Sequence, residues 1–261
     1  MRMRRGAIAL AATLTLAVCS SAVAAPAAAP AASTGPSGTL TVSAAASLTD
    51  VLPVIAKAFE KRFPGVSVKF NFGGSSALVE QVIAGAPVDV LATASESTLW
   101  KATNAGLTGR PLLFAKNTMA IAMPQDNRAG VTGLTDLQKP GVLVGVCAAS
   151  IPCGSAANQI FAKSFLTVRP VTQELDVRAL LGKIQTGEID AGIVYVTDVK
   201  AAGKSISSVP IPRDQNVFTT YPIASINDAP NPAAAAAFVS YVRYTPSAQG
   251  ILRAYGFAKP W

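Results

Sequence analysis

Histidine is absent from all 261 residues, and that absence removes several kinds of chemistry. A Ser-His-Asp or Cys-His arrangement needs an imidazole as its base. Charge is scarce too: Lys, Arg, Asp and Glu make up 14% of the chain and aromatics 7%. The acidic side chains are too dispersed to nominate a carboxylate pair. No G-x-S-x-G elbow, S-x-x-K pair, Walker loop or G-x-G-x-x-G occurs. An enzyme is therefore not expected, and neither a cofactor nor a direct cation ligand is assigned. Lys and Arg are scattered, and three of them, Arg2, Arg4 and Arg5, crowd the first residues of a chain whose formal charge is +8. A nucleic-acid binder would gather its cations along one face, so no nucleic-acid partner is expected.

Long apolar runs are also missing. The stretch from about Ala7 to Val18 falls short of the ~20 residues a membrane span needs. With arginines before it and small residues after it, it reads as a secretory signal over 1–24. Two processing routes are open: cleavage after "AVA" at Ala22–Ala24, or a lipoprotein-like box, "LAVC", ending at Cys19, which would make a lipid anchor the chain's membrane contact. Residues 25–38 form a Pro/Ala/Ser linker. Of the three cysteines, Cys147 and Cys153 remain, close together in "VCAASIPCGS". In an exported chain such a pair reads as a disulfide, and two thiols at that spacing make no zinc site.

What is present is apolar residues, half the chain, in short β-rich runs alternating with helical patterns. Strands are expected at 39–44, 66–72, 88–94, 117–123, 142–146, 190–196 and 218–226. Helices should start at Ser47, after Gly73-Gly74, and near 154, 176, 232 and 247, with another running through Leu99 and Trp100. This is an α/β pattern with largely parallel sheets. A core tends to split beyond about 250 residues, so two lobes with a cleft between them are expected. Lobe 1 would comprise 39–118 and 223–261, and lobe 2 would comprise 119–222.

The strand-to-helix junctions resemble one another: "AAASL", "FGGSSAL", "IPCGSA", "ELDVRAL" and "IVYVTD". Ligands of open α/β sheets bind beyond the carboxyl ends of strands. Small residues at helix starts leave backbone N–H groups open to an anion. Four such termini at roughly +0.5 each would offer on the order of +2 as an upper bound, which suits a dianion. Each piece also has a structural reading: Ser47 with Asp50 as a capping box, "GGSS" as a turn with a cap, Asp176 as an N-cap, Tyr195 as a buried aromatic with a satisfied hydroxyl. A surface interaction module would not explain small residues and hydroxyls at successive helix starts.

In order and spacing, "TVSAAASLTDVL", "FGGSSALVEQVIAGAPVDVLATAS", "IPCGSAA", "LDVRALLGKI", "GEIDAGIVYVTD" and "YGFAKP" resemble the molybdate-binding proteins of ABC importers, the ModA family, from Thr39 to Pro260. The resemblance implies a two-lobed, type II-like periplasmic-binding-protein fold in which each lobe is a mostly parallel sheet flanked by helices. It implies a monomer that holds molybdate or tungstate in the cleft and hands it to a permease and its ATPase. By motif, the oxyanion contacts would be Ser47, Ser75, Cys153, Val177 and Tyr195. Cys153 departs from the small non-cysteine residue usual there; bridged to Cys147, it could contribute only its N–H. Another tetrahedral oxyanion such as sulfate, or an unrecognised enzyme on the same fold, is the alternative. With no histidine on the protein side, affinity is expected to be nearly flat between about pH 6 and 8.

Overall fold

A computed structural model describes residues 35–260. The leader, Cys19, most of the Pro/Ala/Ser stretch and Trp261 lie outside the described residues. The first half of the chain comprises β1 (Gly38–Ala45), α1 (Leu52–Arg62), β2 (Val66–Gly73), α2 (Ser75–Ile83), β3 (Val90–Ala92), α3 (Glu96–Asn104) and β4 (Leu112–Pro124). The second half comprises β5 (Val144–Cys147), α4 (Pro152–Lys163), β6 (Thr172–Glu174), α5 (Val177–Gln185), β7 (Ala191–Tyr195), α6 (Val196–Ala202), β8 (Ile206–Pro210), β9 (Phe218–Ser225), α7 (Pro232–Tyr244) and α8 (Pro246–Ala254).

The strands follow the order β2-β1-β3-β9-β4-β7-β5-β6, with β8 also paired to β4. Parallel pairs form the two wings: β1 with β2 and β3, and β5 with β6 and β7. The antiparallel pairs all involve β9 or β4. Along β4 the partner changes, from β9 over Leu112–Thr118 to β7 and β8 over Met119–Pro124. That strand therefore carries the sheet from one wing to the other. The parallel strands present their carboxyl ends at Ala45, Gly73, Cys147 and Tyr195, and each of these ends opens onto a helix start.

Helix periodicity reflects burial. On α1, Leu52, Ile55, Ala56 and Phe59 are buried, and the Phe59 ring meets Phe238 edge-on at 5.1 Å, tying α1 to α7. Where the sequence predicts a helix from Ser47, a single 3-10 turn (Ala46–Leu48) comes first, and the α-helix begins at Leu52. Pro53 stands in its first turn, where a missing N–H costs nothing. Ser47 and Asp50 do not form a capping box; neither the 3-10 turn nor α1 has a side-chain cap. Asp176 does cap α5 as expected. Three elements escaped the sequence reading: β6 is three residues, β8 has weak alternation, and α6 follows β7 with no turn residue between them.

Cys147 at the end of β5 and Cys153 in the first turn of α4 are bridged, with Cα atoms 5.7 Å apart. The bridge holds the β5–α4 loop against its helix. Gly154 lies where a Cβ would run into the Cys147 and Ala148 carbonyl oxygens, so the helix start can press onto that loop only as glycine. For so short a loop, chain entropy gives a stabilisation of about 2 to 2.5 kcal/mol. Urea unfolding with and without reductant should show a loss of about that size. A difference near zero would mean that the loop is held by packing alone.

A candidate oxyanion site at converging helix starts

All five residues singled out at the junctions line one cavity. Ser47 belongs to the 3-10 turn after β1, Ser75 opens α2, Cys153 lies in the first turn of α4, Val177 opens α5, and Tyr195 closes β7 where α6 begins. Ala45, Ala46, Gly73, Gly74, Ala94, Ile151, Pro152 and Asp176 complete the wall. The space open to the centre of a water molecule is about 20 Å³. Since about 10–15 Å³ on that measure holds one water, the cavity suits a compact solute. A larger groove of about 360 Å³ adjoins it and shares Ile151 and Pro152.

The alanines and glycines are there for approach. A Cβ on Gly74 would clash with the Leu175 carbonyl oxygen, so the turn before α2 meets the loop before α5 only because that residue is glycine. Ser76 Oγ donates to the Ser150 carbonyl at 3.0 Å beside it. No lysine or arginine is among the lining residues, and Asp176 alone of them carries a charge. The first turns of α2 and α4 contain no acidic side chain, so their positive ends are not neutralised from within; at α5 the Asp176 cap sets a carboxylate against the helix start. Asp176 spends one carboxylate oxygen on the Arg178 and Ala179 N–H groups, at 2.8 and 2.9 Å, within α5.

The hydroxyls are buried and neutral. Ser75 Oγ accepts the Ala94 N–H at 3.1 Å, so its own proton remains available. Tyr195, 1% exposed, has no hydrogen-bond partner for its hydroxyl from the protein. The expected satisfied hydroxyl is thus corrected: the ring is buried as anticipated, but its Oη is left for something else. Burial, with Tyr221 and Asp198 nearby, holds that phenol well above its usual range, so it remains a donor. Tyr221 is likewise pushed up by burial. Cys153 Sγ is committed to the disulfide, so its side chain offers the cavity no thiol.

Cations do operate nearby, one layer outside the wall. Arg178 pairs with Asp50, which sits between the 3-10 turn and α1, and its Nε lies 3.2 Å from Oδ1 of the fully buried Asp198. The other Asp198 oxygen accepts the Tyr195 N–H at 3.2 Å. Burial pushes the Asp198 carboxyl up to about 7, against the pull of Arg178 and the Tyr195 N–H. Sequence reasoning missed Asp50, Arg178 and Asp198 as a group. Each charge was visible beside a helix start, but nothing local showed that they converge. Among the described residues, no group of three His, Cys, Asp or Glu side chains could hold a metal ion, and no helix is long and apolar enough to cross a membrane.

A fold of parallel strands ending on small-residue helix starts, around a cavity for one compact solute, defines a solute-binding protein. The model of the bacterial extracellular solute-binding protein family matches residues 40–258. Over 236 residues the chain is 39% identical to the molybdate-binding protein ModA of Mycobacterium tuberculosis, covering 90% of each. Among solved structures it resembles the periplasmic molybdate-binding protein of Azotobacter vinelandii, with TM-score 0.76 at 22% identity, covering 85% of this chain and 100% of that one. It also resembles the sulfate-binding protein SubI of M. tuberculosis, with TM-score 0.72 at 20% identity, covering 85% and 86%. At those identities the structural likeness speaks for the fold. The chain belongs to the bacterial extracellular solute-binding proteins and, within them, to the ModA family.

Asp198, which accepts the Tyr195 N–H, is a carboxyl raised toward neutrality, and its titration bears on the stability of the fold. Its folded value, about 7, stands above the ordinary 3.8. Its contribution to stability is therefore full below about pH 4 and is lost as pH rises through 7. The stability of the native chain relative to Asp198→Asn should fall across that window, by at most about 1.4 kcal/mol per pH unit. Urea unfolding between pH 4.5 and 7.5 measures this, and parallel curves for the two proteins would refute it.

Proposed function

We propose that the chain captures molybdate, and tungstate with it, outside the cytoplasm and delivers it to an ABC permease driven by its ATPase. One observation carries the reading: three hydroxyls and several helix starts surround a cavity whose lining contains no cationic side chain. Molybdate is fully deprotonated at neutral pH and offers only acceptors. A wall of neutral donors matches it without needing a proton in return. Ser47, Ser75 and Tyr195 would give O–H donors, and Cys153 and Val177 backbone N–H donors. The 39% identity to a relative named for molybdate supports the same reading.

In this reading the chain closes as two lobes, 39–118 with 223–261 and 119–222, and β4 and β9 are the crossings. The partner change along β4 at Thr118–Met119 supports the boundary. Closure is a hinge motion over the ion, and the pairing of Arg178 with Asp50 joins the two lobes when shut. The protein acts as a monomeric carrier and not as an enzyme, its membrane contact a lipid at Cys19 if that route of processing is taken. A second reading, another tetrahedral oxyanion, is supported by the shared fold of a sulfate-binding protein.

Molybdate at a hundredfold excess over its dissociation constant should stabilise the protein by about 2.7 kcal/mol. Tungstate should do the same, and sulfate and phosphate should not. Replacing Ser47 or Ser75 by alanine should weaken binding by roughly 10- to 100-fold, the scale of a hydrogen bond to a charged group. Thermal shift and calorimetric titration measure both effects. Equal shifts with sulfate would favour the second reading, and no shift with any of these anions would sink both.

A further inference from the structure

At the cavity the segments 39–118 and 119–222 meet in several contacts. Gly74 packs against the Leu175 carbonyl, so closely that a Cβ would not fit. Ser76 Oγ donates to the Ser150 carbonyl at 3.0 Å. A third contact is charged: Asp50, between the 3-10 turn and α1, pairs with Arg178 in the first turn of α5. The pairs Arg128–Asp190, Lys139–Asp136 and Lys183 with Glu174 and Glu188 lie within 119–222, whereas Asp50–Arg178 runs from one segment to the other. Arg178 also serves a second acid. Its Nε lies 3.2 Å from Oδ1 of Asp198, which is wholly buried and whose other oxygen accepts the Tyr195 N–H. One planar guanidinium thus faces two carboxylates in fixed directions, a division that the point charge of an ammonium does not hold.

We propose that Arg178 is a positioning residue for retention of the ion: Asp198 holds its guanidinium in place, and Asp50 docks on it when the lobes shut, which latches the cleft and slows release. The proposal rests on the oxyanion reading and the two-lobed closure above and deepens them. The two halves of the arrangement differ in permanence. Arg178 and Asp198 belong to the same lobe, so opening leaves the buried carboxylate its counter-charge, without which its burial would be costly. Asp50 belongs to the other lobe. Its side chain is 40% exposed, against 26% for Arg178 and 0% for Asp198, so water can take the place of its partner when the cleft opens. Neither Asp50 nor Arg178 lines the cavity. Their pairing forms after the ion has entered, so it acts on dissociation and not on encounter. Charge alone would act the other way: a carboxylate near a dianion repels it, and removing Asp50 would on that ground hold the ion longer.

The test measures release of labelled molybdate from the full chain into excess unlabelled ion. Asp50→Asn should speed release about three- to fivefold, the scale of a partly exposed pair, with the association rate little changed. The difference from the native protein should shrink at high salt, which screens the pair. Asp50→Glu, which keeps the charge, should release at close to the native rate. On a background of Arg178→Gln with Asp198→Asn, which removes the guanidinium together with the acid it neutralises, Asp50→Asn should give no acceleration. Urea unfolding of the ion-free protein should be nearly the same for Asp50→Asn and the native chain; lost stability without faster release would mark a merely structural residue and overturn the proposal. Release unchanged or slowed in Asp50→Asn, or speeded equally on both backgrounds, overturns it too. A native protein that takes up no molybdate would instead remove the function on which it rests.

Discussion

Backbone N–H groups at the first turn of a helix have no partner inside that helix, and this structure brings several such turns to one point. Everything else about the site follows from keeping that point open. The parallel strands must end together, so that the junctions after β1, β2, β5 and β7 face a common space. The residues at those ends must be small, since a side chain on Gly74 or Gly154 would strike a neighbouring carbonyl. The hydroxyls must be buried yet unspent, as Tyr195 and Ser75 are. A lysine at the centre would bind anions more strongly but less selectively, because a point charge does not read which oxygens carry protons.

Charge is kept one layer back. Arg178 stands between Asp50 and the buried Asp198, and Asp198 holds the N–H of Tyr195. A buried carboxylate is costly without such pairing. Here the cost is offset by a guanidinium shared between two acids and by a backbone donor. The arrangement connects the 3-10 turn after β1 with the starts of α5 and α6, so the elements carrying Ser47, Val177 and Tyr195 are held in one frame. The Cys147–Cys153 bridge does the corresponding work for the start of α4.

Much of this was legible in the sequence. The repeated small-residue junctions marked where the wall would form, the family resemblance picked five residues on it, and the short cysteine pair gave the disulfide, because junctions and cysteine spacing are local patterns: residue size and helix-capping chemistry act over a few positions. Local signals also misled. Ser47-x-x-Asp50 reads as a capping box, yet Ser47 turns to Tyr221, 174 residues away, and Asp50 to Arg178, 128 residues away.

By itself the sequence determined the alternation of strands and helices, the small residues and hydroxyls at their junctions, and the absence of any imidazole. Local propensity and composition are properties of neighbours in the chain. Only the tertiary structure decided that the Tyr195 hydroxyl would be buried without a geometric hydrogen-bond partner, that burial would push the Asp198 carboxyl up to about 7, and that Ser47 and Asn117 would both reach Tyr221. Those outcomes depend on which distant groups arrive in the same dry space, and on the order in which each donor finds an acceptor there.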